Sequence, residues 1–478
     1  MNIRAQATPA LTPQTLANAK PALQRPRYDR SKTQIGIVHF GPGAFHRAHQ
    51  AFYVDELLAI DPRWAISAVS LQSSGVRDAL KPQDGLYTLA ILDERPTYRA
   101  IGAIKEVLVA PEAPENVFTR LVAPSTQVVT ITVTEKGYCL DATGALNATH
   151  PAIRHDWSNP TQPQTLIGYL TEALRRRRAN GTKPFAAISC DNITDNGKRL
   201  RNAVLTYAQD IDRDLAAWIE GEVAFPRTMV DSITPATDDA LRERAHAATA
   251  LADAWPVQRE AFTQWVIEDV PGLGPDWTRV GVTLTANVAA HERAKLRLLN
   301  GAHSSLAYLG LLKGYETVAD AMRDKTLAAF IKSLMLEDIA PTVRPPKELD
   351  LHAYIDGILA RFRNPAVRHL LSQIAWDGSQ KLPFRLMGTI ADNLISGGRV
   401  DRLCLAVAAW MHFTRRQVDA GRTLVDPLSS AMGRCARVRA DAATEVAQYL
   451  TLTEVFPATL IGNSEFRTHL TDAYASLR

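Results

Sequence analysis

Between Ile35 and about residue 285, short apolar and β-branched runs alternate with segments of helical period. The runs include Ile35-Gly36-Ile37-Val38, Ala65-Ile66-Ser67-Ala68-Val69, Val128-Val129-Thr130-Ile131-Thr132-Val133 and Phe185-Ala186-Ala187-Ile188. Strands alternating with helices predict an α/β domain built on a mostly parallel sheet. From about His291 onward strand signals disappear. Long apolar-periodic segments follow, broken at Lys313-Gly314, between Pro341 and Pro346, at Asn364-Pro365 and at Gly397-Gly398. That pattern predicts an all-α C-terminal domain. The reading is an N-terminal extension over 1–30, an α/β domain over 31–285 and a mostly α-helical domain over 286–478. Residues 1–28 carry no acidic side chain and hold Pro9, Pro13, Pro21 and Pro26, as in a ragged extension without the apolar region of a secretory signal. The Arg175–Arg178 run reads as the solvated end of a helix.

A chain of 478 residues exceeds what one hydrophobic core serves, in keeping with two domains. Hydrophobic residues make up 46% and charged residues 22%, the balance of a folded globular protein. The net charge is +4 with no basic tail, so small-molecule partners are expected and nucleic acid is not. Cys139, Cys190, Cys404 and Cys435 are scattered without a CxxC pair, which suits a reducing cytoplasm. The longest apolar stretches, such as Leu403–Trp410, fall short of the ~20 residues that span a bilayer, so no membrane insertion is expected.

The first strand runs into Phe40-Gly41-Pro42-Gly43-Ala44-Phe45-His46, two glycines at a strand-to-helix turn. Gly41 permits the tight turn, and Gly43 lets the backbone approach a dinucleotide pyrophosphate. This makes the α/β domain a Rossmann-like dinucleotide-binding domain. The third position of GxGxxG is His46, and a plain strand-to-helix turn also fits the motif. After the second strand the chain reads Leu71-Gln72-Ser73-Ser74-Gly75-Val76-Arg77, without the acid that binds the ribose of NAD. The serines and Arg77 offer partners to a 2′-phosphate, so NADP stays open beside NAD.

Glu292, Lys295, Asn300 and His303 fall in one helical segment. At ~100° per residue they lie within one arc of roughly 140°. The same segment carries Leu296, Leu298, Leu299, Leu306 and Leu309, so it is buried. Burial lowers the pKa of an amine, which is how a Lys becomes a general base that takes a hydroxyl proton while hydride leaves the same carbon. The residues also fit a core helix with Glu292 paired to Lys295. Ser189-Cys190-Asp191-Asn192 follows the strand ending at Ile188, where open α/β sheets place ligands. Asn192 there is either a turn residue or, with Asn300, an amide pair that polarises a carbonyl. No HExxH, CxxC or zinc-spaced cluster is present, so no metal is expected. The one Tyr-x-x-x-Lys, Tyr28 to Lys32, precedes the first strand, the wrong place for a short-chain dehydrogenase pair.

These segments, with Thr134-Glu135-Lys136-Gly137-Tyr138, Met229-Val230-Asp231 and Asp377-Gly378-Ser379-x-Lys381, resemble the mannitol dehydrogenase family, the polyol-specific long-chain dehydrogenases that include mannitol 2-dehydrogenases and fructuronate reductases. The resemblance runs from Gly41 through nearly the whole chain. It implies a metal-independent, NAD(P)-dependent oxidoreductase that interconverts a secondary alcohol and a ketone. Lys295 would be the general base, Asn192 and Asn300 the oxyanion pair, and His303 a holder of the reactive oxygen. Asp231 would tune the Lys, and Glu292 would gate its proton path. Gly41, Gly43, Ala44, Phe45, Gln72, Ser73, Thr134 and Glu135 would bind the cofactor. Gln373 stands where the mannitol dehydrogenases carry Arg, so the segment through Arg385 resembles the fructuronate reductases more. With Lys381 and Arg385 as partners for a carboxylate, the expected substrate pair is D-fructuronate and D-mannonate. D-fructose and D-mannitol, or another polyol such as arabinitol or sorbitol, are the alternative; Arg385 is otherwise a surface charge. A non-catalytic dinucleotide sensor would need the glycine turn but not Lys295. Family members are often monomers, and nothing in the chain argues for a dimer seam.

Overall fold

The computed structural model describes residues 8–141 and 143–478. The chain divides into two compact units after Val288. In the first unit, strands β1 (Ile35–Phe40), β2 (Ala65–Ser70), β3 (Ile104–Val109), β4 (Val128–Ile131) and β5 (Ala186–Ser189) form one sheet. Their order is β3-β2-β1-β4-β5, and every pairing is parallel. The strands are apolar on both faces because both faces are covered. Val38, Phe40, Val69, Val129 and Ile131 join one core. Their sequence neighbours Ile37, Ile66, Ala68, Val128 and Ile188 join another. The order reverses between β1 and β4, which opens a crevice at their carboxyl ends.

Two smaller sheets complete this unit. One runs Leu23–Gln24, Thr97–Ile101, Tyr87–Leu92, Val257–Glu260; the other runs Thr283–Thr285, Gln264–Glu268, Thr228–Asp231. Both mix parallel and antiparallel pairs.

Two expectations need correction. The described part of the N-terminal extension is not ragged. The Leu11 N–H donates to the Ala252 carbonyl at 2.8 Å, Leu23–Gln24 pairs with Thr97–Ile101, and Leu11 and Leu23 pack with Leu86, Ala100 and Leu251. The prolines mark its bends, while its few leucines dock it. Nor is the whole arginine run solvated: Arg177 is 1% exposed. Its guanidinium donates to the carbonyls of Leu121 and Ala123 at 2.7 Å, of Thr126 at 2.6 Å, and of Lys183. Four consecutive helical residues sweep ~300° of the helix, so one of them must face inward.

The second unit contains no strand among its described residues. The helix Asp401–Asp419 runs through its core with Leu403, Val407 and Trp410 buried, and Ala302–Leu312, Ser429–Arg437 and Ser464–Ser476 pack around it. Three stretches wind as π-helix: Lys295–Gly301, Leu334–Ile339 and Pro383–Met387. No described helix is long and apolar enough to cross a membrane.

Candidate active site

The turn after β1 is built as a dinucleotide cradle needs. Gly41 has φ +89°, and its N–H donates to the Val69 carbonyl at 2.9 Å. A Cβ there would lie 2.1 Å from the Thr132 carbonyl oxygen, so only glycine fits. At Gly43 a Cβ would meet nothing nearer than the Gly41 oxygen at 3.9 Å, so the space beside the turn is open. Ala44 and Phe45 begin the helix Ala44–Ala48. His46, which replaces the third glycine, is fully buried and lies flat on His39, with ring centroids 3.3 Å apart and planes 13° apart. A flat ring thus allows the close helix-to-strand approach that glycine usually provides. Burial holds His46 well below the ordinary imidazole pKa, so the stack is uncharged.

His39 carried no signal of its own in the sequence, yet it supports the turn from behind. Its Nδ1 pairs with Thr130 Oγ1 at 2.8 Å, and its Nε2 pairs with Thr132 Oγ1 at 3.0 Å and the Gly41 carbonyl at 3.2 Å. Burial pushes its pKa down to about 3. At the end of β2, Gln72 and Ser73 are exposed, whereas Arg77 is engaged by Asp78 and Glu112.

Asp191, inside Ser189-Cys190-Asp191-Asn192, holds the loops of the crevice together, a role its sequence context does not signal. Its carboxylate accepts the N–H of Val133 at 3.1 Å, the N–H of Thr134 at 2.8 Å and the Tyr138 hydroxyl at 2.7 Å. Thr134 has φ +67°, a conformation that costs a non-glycine residue ~1–3 kcal/mol and persists only where the surroundings impose it. The loop that presents Thr134 and Glu135 is therefore pinned to the loop that presents Asn192. The Asn196 amide adds a second tie, donating to the carbonyls of Asp191 and Thr228 at 3.1 Å each. Asn192 itself is exposed; Asp231 is buried at the end of Thr228–Asp231, opposite Gln264.

In the second unit, Glu292 sits half-buried on the helix Val288–Ala294, and Lys295 and Asn300 open and nearly close the π segment. Residues five apart diverge by ~140° on an α-helix. In a π turn, whose bonds run i→i+5, residues five apart lie nearer one another around the axis. The winding therefore brings Lys295 and Asn300 closer to one face than the α-helical expectation. Lys295 is buried, and His303 follows about two turns on, also buried.

His303 stands between Phe362, stacked with centroids 5.1 Å apart, and His369, edge-on at 4.7 Å. Burial drives its pKa well below the ordinary value, and His369, Arg385, Arg361 and Lys381 reinforce the shift. It is a neutral imidazole, and its Nε2 has no hydrogen-bond partner among the described residues. Arg385 is no surface charge: it donates to Ser304 Oγ at 2.9 Å, next to His303, and burial lowers its pKa. Lys381 Nζ donates to the carbonyls of Ile374 at 3.2 Å and Trp376 at 2.5 Å. Burial and the neighbouring Arg385 lower its pKa to about 8. Gln373 stands exposed on the helix Leu371–Ala375. The π segment holding Arg385 packs on the one holding Asn300, with Gly301 at the crossing, where a Cβ would lie 2.9 Å from the Arg385 carbonyl oxygen. Among the described residues, no three His, Cys, Asp or Glu side chains converge as metal ligands.

Residues 35–278 match the mannitol dehydrogenase Rossmann domain, and residues 287–478 match the mannitol dehydrogenase C-terminal domain. The chain is 43% identical over 476 residues to D-mannonate oxidoreductase of Escherichia coli (strain K12), covering 97% of each chain. It is also similar to a solved D-sorbitol dehydrogenase, with a TM-score of 0.91, 34% identity and 98% of each chain covered. Mannitol 2-dehydrogenase of Pseudomonas fluorescens, solved with NAD and D-mannitol, gives a TM-score of 0.84 at 36% identity, with 98% of this chain and 97% of that one covered. The chain belongs to the mannitol dehydrogenase family of oxidoreductases, which act on secondary alcohol groups.

Proposed function

We propose that this protein reduces D-fructuronate to D-mannonate with NADH, and runs the reverse reaction with NAD. The observation that carries the reading is the cationic group around His303. Lys381 and Arg385 both bear on one buried neutral imidazole, and an ammonium beside a guanidinium fork suits a sugar-acid carboxylate, even with Asp377 and Asp426 acting on Lys381. The likeness to a D-mannonate oxidoreductase supports the same substrate pair.

The glycine turn fits a dinucleotide: Gly41 is obligatory for the fold, whereas the bare Gly43 faces space that a side chain would narrow. When bound, the nicotinamide supplies hydride to the carbonyl carbon or takes it from the alcohol. Lys295 gives a proton to the reacting oxygen in reduction and removes it in oxidation. Asn300, brought nearer the face of Lys295 by the π turn, donates its amide N–H to that oxygen. The family resemblance makes Asn192 an amide donor as well. The vacant Nε2 of His303 holds a substrate hydroxyl. Glu292, one turn before Lys295, returns its proton to solvent, and Asp231 tunes it.

The test is substrate discrimination in Lys381→Ala and Arg385→Leu. Each variant is expected to raise the KM for D-fructuronate at least tenfold, with a smaller effect on D-fructose, which lacks the carboxylate. Equal losses on both sugars would remove the carboxylate from the account.

A further inference from the structure

The carboxyl ends of β2 and β3 are drawn together where the ribose of a dinucleotide lies in sheets of this order. The Gly41 N–H is bonded to Val69 of β2, and the Ala110 N–H, just past β3, donates to the Ser70 carbonyl at 2.9 Å. Across this junction Arg77, on the short helix Gly75–Leu80, is clasped from two sides. Its Nε donates to Asp78 Oδ1 at 2.9 Å, its Nη2 lies 2.8 Å from the same oxygen, and its Nη1 is paired with Glu112. The hydroxyl of Ser74 is also committed, donating to Asp78 Oδ2 at 2.6 Å. Gln72 and Ser73 remain exposed at the strand end. A cavity of about 410 Å³ adjoins the clasp, with Arg77, Glu112 and Asn116 in its wall.

The guanidinium that a 2′-phosphate would seek here is thus held by two carboxylates and the Ser74 hydroxyl by one of them, which leaves the exposed Ser73 to offer a neutral hydroxyl alone. A phosphate carries about −1.5 to −2 charge at neutral pH and forms its strongest bonds with a bidentate guanidinium. At this position it would have to displace Glu112 or Asp78 from Arg77 and remain beside the displaced charge. A ribose 2′-hydroxyl meets neither cost. We infer that the Asp78–Arg77–Glu112 clasp selects NAD over NADP by withholding Arg77 from the 2′-phosphate. The inference rests on the nicotinamide-dependent activity proposed above, and makes Asp78 and Glu112 specificity-determining residues that need not touch NAD.

Titration calorimetry with NAD and with NADP, on the wild type and on the Asp78→Asn/Glu112→Gln double variant, tests this without turnover. The wild type is expected to bind NAD more tightly. The double variant is expected to gain roughly ten- to hundredfold in NADP affinity relative to NAD, the range set by one or two charge-assisted hydrogen bonds. Adding Arg77→Ala to it should abolish the gain. NAD binding in each variant reports that the domain is folded, and Glu112→Gln alone, on an exposed side chain, provides a milder form of the test. An unchanged NADP affinity in the double variant, or a gain that survives Arg77→Ala, would each overturn the clasp while leaving the proposed reaction standing, whereas a wild type that prefers NADP would overturn the clasp and the choice of NADH but not the substrate pair. Binding of neither dinucleotide by the wild type would overturn both.

Discussion

The Asp191 carboxylate accepts the backbone N–H of Thr134 at 2.8 Å, holding a threonine in the left-handed region at the mouth of the sheet crevice. Its second oxygen takes the N–H of Val133 and the hydroxyl of Tyr138. All three partners are donors. Asp191→Asn keeps the shape but offers one acceptor oxygen and points an NH₂ at other donors. It is expected to cost about 2–3 kcal/mol of stability and to weaken NAD binding by releasing Thr134 and Glu135. Urea denaturation and calorimetric NAD titration measure the two effects. A variant as stable as wild type with unaltered NAD affinity would mean that the loop after β4 is held by other contacts.

Gly301→Ala probes the crossing of the two π segments. The added Cβ sits 2.9 Å from the Arg385 carbonyl, so one segment must move, at a cost of about 1–3 kcal/mol. Because Arg385 belongs to the displaced segment, the KM for D-fructuronate should rise severalfold. A thermal melt and a substrate titration check both, and a wild-type KM alongside a lowered melting point would separate packing from substrate binding.

Substrate affinity should depend on pH through Lys381. Burial and Arg385 lower its pKa to about 8, so it is a cation below that pH and neutral above it. Its attraction for a carboxylate is present at pH 7 and fades as pH rises through 8. The KM for D-fructuronate should therefore climb between pH 7 and 9. His303, neutral throughout, contributes no break in that range. In Lys381→Ala the rise should disappear from a KM that is high at every pH; a persistent rise would assign the titration to another group.

Lys295→Ala is expected to retain cofactor binding while losing turnover by several orders of magnitude, as removal of a general base does. Fluorescence titration of NADH alongside steady-state kinetics separates the two. Near wild-type turnover in this variant would leave Lys295 as a buried structural cation.

Much of the fold was legible because it follows from period and punctuation. The strands at 35–40, 65–70, 128–131 and 186–189 were visible as apolar runs, and the change to helices near residue 290 as a change of period. The active-site helix was legible as a helix but not as a π turn. Nothing local to Lys295–Gly301 announces the wider winding, and the close approach of the segment holding Arg385 at Gly301 is a contact between residues more than eighty positions apart. Asp191 was hidden for a related reason, since its partners are backbone N–H groups more than fifty positions away. Arg177 looked like part of a solvated run because composition alone does not say which of four arginines faces inward. The clasp on Arg77 is invisible in sequence because Glu112 reaches it from the far side of β3.

The most direct test of the central claim is a paired assay that follows the near-ultraviolet absorbance of the reduced nicotinamide, with NADH and NADPH each offered with D-fructuronate and with D-fructose. The highest kcat/KM is expected for NADH with D-fructuronate. A clear preference for D-fructose would contradict it and make the protein a polyol dehydrogenase whose Lys381 and Arg385 serve something other than a carboxylate.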